Sequence, residues 1–185
     1  MGSFRHFAYQ AEGKFYNGVT QDDIHHGPDR SINRIDGWSE RAIAGREILV
    51  DYPSWAAEKG IPYSATSTQP ISTFDETGKV GLQKAEHTWP GLEQGEAMTR
   101  WLWRRQFAAI AADNPALECI PPTDDTWMLH PILLAGRGTP IGEMFDLDAI
   151  ADLCKRNDRW SFFITSDSLR YKGVIASPPN AMAIF

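Results

Sequence analysis

The chain has 185 residues, a formal net charge of -6, 42% hydrophobic residues and 11% aromatic residues, with 7 Trp. That length fits one domain over residues 1–185, and the apolar content supplies a core and excludes a disordered tail. The acidic balance, with no basic block longer than Arg104-Arg105, excludes nucleic acid as a partner. Met1 to His6 has no basic-then-apolar signal pattern, and the longest nearly apolar stretch, Phe107 to Ala112, is too short to span a bilayer. A cytoplasmic protein with no membrane partner is therefore expected. Cys119 and Cys154 lie in separate segments without Cys-x-x-Cys spacing, which predicts buried thiols rather than a disulfide framework or a zinc knuckle.

In chain order, Arg46 to Tyr52 is a short apolar, β-branched run between Gly45 and Pro53 and predicts a buried strand. Gln69 to Lys84 is polar, without period, and predicts a loop. Glu93 to Phe107 carries Ala97, Met98, Trp101 and Leu102 at helical spacing, with acidic residues early and Arg100, Arg104 and Arg105 late, as the helix dipole favours. The following Phe107 to Ala112 reads equally as a strand or as more helix, ending by Pro115. Asp146 is positioned to cap a helix over Leu147 to Lys155, Trp160 to Thr165 predicts a buried strand, and Gly173 to Ala176 predicts a last strand before Pro178-Pro179.

Several segments in order carry a family likeness: Phe15-Tyr16-Asn17-Gly18, Ala42-Ile43-Ala44-Gly45-Arg46, Thr88-Trp89-Pro90-Gly91-Leu92-Glu93, Ala112-Asp113-Asn114-Pro115, Leu129-His130, Pro140-Ile141-Gly142-Glu143 and Ser177-Pro178-Pro179-Asn180-Ala181. Together they resemble the cyclase family of kynurenine formamidase-like metal-dependent hydrolases, in its fungal and bacterial branch. The resemblance implies an α/β (α+β) layered β/β/α fold, a homo-oligomer, and a small-molecule substrate whose amide or ester, such as a formamide or cyclic amide, is hydrolysed with a divalent metal, Zn or Mn. It assigns His130 and Glu143 to the metal, His6 to acid/base catalysis, and Tyr16, Asn17 and Trp89 to the substrate pocket.

Two departures stand beside that likeness. The family motif HxGTHxDxxxH corresponds here only to Met1 through His6, with Gly2 where the metal-binding Asp belongs and the two upstream His positions preceding Met1. Between Ile71 and Thr88 the segment leading to a GDILL-like core strand is shortened. The chain thus reads as truncated at its N-terminus and shortened internally, with an incomplete fold and ligand set. Two or three donors predict weak, sub-stoichiometric metal binding, and loss of the ion removes both nucleophile and Lewis acid, predicting little hydrolysis. The alternatives are a catalytically inactive, oligomeric binding or regulatory protein and a metal-free cyclase of secondary metabolism.

Plainer structural roles compete at each residue. His130 can be a hydrogen-bonded residue opening an apolar element, Glu143 a charge near a helix start, and His6 a mobile terminal imidazole. Asn17-Gly18 is a turn signal and Trp89 an ordinary packing aromatic. His25-His26 before Gly27-Pro28 reads as a solvated loop pair, Asp124-Asp125 as a loop or helix cap, and Gly136, Gly138 and Gly142 lack the GxGxxG spacing of a phosphate loop.

Overall fold

The computed structural model describes residues 1–9, 11–29, 31–60 and 89–185. Its larger sheet has three antiparallel strands: β1 (Ile43–Ile48), β4 (Ser161–Ser166) and β5 (Met182–Ile184), with β4 in the middle. Arg46 lies opposite Phe163, and Phe163 opposite Ile184, so alternate residues of the three strands share a face. On the inner face Phe162 is buried and stacks on Phe185 at 5.1 Å. The outer face leaves Ile48, Phe163, Met182 and Ile184 exposed.

A smaller parallel pair, β2 (Ile110–Ala111) and β3 (Ile141–Gly142), lies beside the main core. That core consists of Leu102, Leu117, Leu129, Leu133, Leu134 and Ile141, with Phe4, Phe7 and Met98 packed against it. Each such side chain contributes roughly 1.5–3 kcal/mol through burial.

Four α-helices occur among the described residues: α1 (Gln21–His26), α2 (Tyr52–Glu58), α3 (Glu96–Arg105) and α4 (Asp148–Asn157). The Thr20 side chain and Asp23 cap α1 reciprocally. Helix α3 buries Thr99 and Leu102, carries a Glu96–Arg100 ion pair on its exposed side, and ends where Gln106 turns left-handed at φ 53°. Pro131–Arg137 forms a π-helix, stopped by Gly138 at φ 64°. None of these helices is long and apolar enough to cross a membrane.

The expected elements over Glu93–Phe107 and Trp160–Thr165 form with trimmed or shifted ends, and Phe107–Ala112 resolves as a strand at Ile110–Ala111. Four expectations need correction. The strand expected over Arg46–Tyr52 begins at Ile43 and ends at Ile48, and its residues alternate between half-buried and exposed because its outer face is open. Pro53 does not simply stop that strand. With the Asp51 carboxylate accepting the Ser54 N–H at 3.0 Å, it starts α2, where a proline's missing N–H costs nothing. Gly173–Ala176 contributes only an isolated bridge, Ala176 to Gly2, and the last strand follows Pro178-Pro179 instead. The Asp146 cap is also displaced, since α4 starts at Asp148 after Leu147. The shortened Ile71–Thr88 segment and the Gln69–Lys84 loop lie outside the described residues.

Candidate functional site

The site grows from one buried carboxylate, Glu118, which has no solvent exposure. Its oxygens accept from the Leu129 N–H at 2.6 Å, the His130 N–H at 2.9 Å, His130 Nδ1 at 2.6 Å and Gln94 Nε2 at 3.0 Å. A carboxylate offers about four lone-pair sites, so Glu118 is saturated, which is the condition for keeping a charge in a core. Gln94 is held in turn, donating also to the Cys119 carbonyl and accepting from the Thr123 N–H and hydroxyl.

His130 stands just before the π-helix Pro131–Arg137, with its side chain 9% exposed. Its second nitrogen, Nε2, lies 3.0 Å from Glu143 Oε1, which also accepts the Leu117 N–H at 2.9 Å. Burial alone would lower the His130 pKa, but the hydrogen bonds and charges of Glu118 and Glu143 outweigh it and raise the pKa from 6.5 to about 9. Burial works to raise the pKa of both carboxyls, and their hydrogen bonds prevail and hold them below the ordinary value.

Segments 89–93, 112–115 and 140–143 come together at this cluster. Trp89 to Leu92 pairs with Leu117 to Ile120 through four backbone hydrogen bonds of 2.8–3.0 Å. Gly91 fits there because a Cβ would come within 2.4 Å of the Glu118 carbonyl carbon. Asn114 donates to the Pro90 carbonyl at 2.8 Å and its own carbonyl accepts the Met144 N–H at 3.0 Å, fastening the turn to the loop that carries Glu143. Gly142 admits Phe145, whose ring a Cβ would meet at 2.6 Å.

His6 enters from a segment that is pinned rather than frayed. Met1 exchanges hydrogen bonds with Ser177 at 2.9 and 3.0 Å, Ser3 N–H reaches the Ile175 carbonyl at 2.8 Å, and Gly2 bridges to Ile141. The His6 ring lies 6.2 Å from the His130 ring and 5.0 Å from Phe7, which itself lies 5.1 Å from His130. His6 keeps an exposed edge, but crowding of its inner side lowers its pKa, and the positive charge of His130 adds to this. Gly2 abuts it, since a Cβ would stand 3.2 Å from the His6 ring.

Tyr16 packs against Gly138 and lies 4.9 Å from Phe4, while its carbonyl accepts from Asn33. Asn17 is an exposed turn residue at φ 61°, and Trp89 sits in the ladder that holds Glu118. His25 and His26 are exposed but occupy the last turn of α1 rather than a loop, and Asp124 caps Thr126 at 2.9 Å. Sequence reasoning missed Glu118. The available signal was an ionisable residue between Leu117 and Cys119, where a charge in an apolar run implies a dedicated set of donors.

His130 Nε2 and Glu143 Oε1, 3.0 Å apart, are the groups that could hold a divalent ion, with Glu118 orienting the ring through Nδ1. Without an ion the two carboxylates favour a proton on both ring nitrogens, and binding one would displace the proton on Nε2. Among the described residues no group of three or more His, Cys, Asp or Glu is placed to hold an ion. With its own side chains the cluster can hold and pass protons.

No protein-family model matches the sequence, and no curated protein matches it. A solved structure does: the crystal structure of a novel cyclase matches over 100% of this chain and 67% of that chain, at a TM-score of 0.73 and 22% identity. The α+β fold of this chain is the fold of that cyclase.

Proposed function

We propose that the protein is a cyclase-like hydrolase that opens the C–N or C–O bond of a small acyl compound, with His6 and the His130–Glu143 pair moving the protons. The observation that carries this reading is the contrast between two imidazoles whose rings are 6.2 Å apart: His130 is held by two carboxylates, and among the described residues no carboxylate hydrogen-bonds His6. Neighbouring groups whose environments drive their protonation apart divide into acid and base.

In this reading His6, neutral at pH 7, takes a proton from water as the water oxygen bonds to the acyl carbon. The proton held between His130 Nε2 and Glu143 goes to the leaving nitrogen or oxygen as its bond to carbon breaks. The products are a carboxylic acid and an amine or alcohol, and the proton on His6 returns to Glu143 to restore the pair. Glu118 touches no reacting atom; it fixes the orientation of the His130 ring.

A second reading is a non-catalytic binding protein. Two cavities among the described residues lie away from the cluster, one by Trp103 and Arg137 and the other by Arg46 and Phe163.

Hydrolysis of N-formylkynurenine and phenyl acetate distinguishes the readings. Turnover should exceed that of a His130→Ala, Glu143→Ala double variant, persist in chelator, and fall by about a hundredfold or more in His6→Ala, whose exposed position spares the fold. Turnover that requires added Zn or Mn would move the chemistry to an ion. Turnover equal to the double variant would leave the binding protein.

A further inference from the structure

The other end of the π-helix from His130 borders a separate cavity of about 240 Å³. Its apolar walls include Leu102, Trp103, Phe107 and Leu133, and its polar groups are Gln106, Arg137 and Thr139. Trp103 is 63% exposed and Phe107 38% exposed, so two aromatic faces stand at the opening.

Arg137 is the informative residue. Its Nη2 donates to the Thr99 carbonyl at 2.9 Å, and its guanidinium carbon lies 5.0 Å from the Trp103 ring centre. Those contacts fix the side chain and use few of its five N–H groups. Among the described residues no carboxylate pairs with it, whereas Arg34 pairs with Asp36 and Arg100 with Glu96. Burial pushes its pKa down, as expected for a cation partly stripped of water with no counter-ion. A fixed, partly desolvated guanidinium lacking an anion is costly unless an anion completes it.

We propose that this cavity binds a small aromatic monocarboxylate, with the ring against Trp103 and Phe107 and the carboxylate on Arg137. One cation selects one negative charge. The volume is below that of pockets for drug-sized ligands and suits a single ring with a short side chain. The ring faces of Trp103 and Phe107 favour an aromatic anion over an inorganic one. This site is independent of the chemistry assigned to His6 and His130.

Calorimetric or NMR titration of the full chain with phenylacetate and with its neutral counterpart phenylacetamide tests the assignment. Phenylacetate should bind about tenfold or more tightly than the amide, and Arg137→Met should abolish that preference while Arg137→Lys keeps part of it. Trp103→Ala, at a largely exposed position, should weaken both ligands, and it remains informative if Arg137→Met fails to fold. Equal affinity for acid and amide in the unsubstituted protein, no binding of phenylacetate, or binding that survives Trp103→Ala unchanged would overturn the proposal.

Discussion

Around His130 a buried charge is saturated with donors inside a leucine-rich core, whereas in the β1–β4–β5 sheet the backbone ladder is paired and apolar side chains face water. The first region is held by side chains that have no substitute, because each donor to Glu118 was given up by water and must be replaced. The second is held by main-chain hydrogen bonds that any strand-compatible residue can make. Structural tolerance should therefore differ sharply between the two.

The largest effect should come from Glu118→Ala. Removing the carboxylate strands the Leu129 and His130 amides and leaves His130 with one partner, a loss of roughly 3–5 kcal/mol as for other broken buried pairs. Chemical denaturation measures it, and a loss under 1 kcal/mol would show that water readily replaces the carboxylate.

Next in size is the response to pH. The His130 pKa is raised from 6.5 to about 9, so its contribution is full below 6.5 and disappears as pH rises through 9. The depressed pKa values of Glu118 and Glu143 act in the opposite sense: their contribution is present above their ordinary value of 4.5 and is lost as pH falls below it. Stability should peak between these limits and drop by about 3 kcal/mol from pH 6.5 to beyond 9. Denaturation series at both pH values check this, and in Glu118→Ala the alkaline loss should shrink. A flat alkaline limb in the unsubstituted protein would mean that His130 is neutral.

The smallest effect belongs to the sheet. Phe163 is 46% exposed on the outer face of the central strand, and Phe163→Thr places a strand-compatible β-branched residue there, so stability should change by less than about 0.5 kcal/mol. A larger loss in thermal melts would show that this face is covered in solution and would remove the contrast between the regions.

Much of this contrast was legible in the sequence. Helix α3 follows directly from the spacing of Ala97, Met98, Trp101 and Leu102, and β4 from its apolar run. His130 and Glu143, singled out in separate segments, lie 3.0 Å apart. Glu118 was not legible because nothing local marks a buried carboxylate: its donors come from Gln94 and from Leu129 and His130, which only the tertiary fold brings together. Pro53 misled because proline ends a strand and begins a helix by the same absent N–H, and Asp51 decides between them. The third misreading, Gly173–Ala176, has β-compatible residues, but the Met1–Ser3 segment takes only isolated contacts from it.

The pinning of Met1 to Ser177 has a kinetic consequence. These residues are separated by 176 positions, so their contact closes a loop spanning nearly the whole chain. Loop entropy delays such closures relative to the shorter-range pairing of Glu118 with His130, which are 12 residues apart. On loop entropy alone, the segment carrying His6 is expected to dock after Glu118 and His130 have paired.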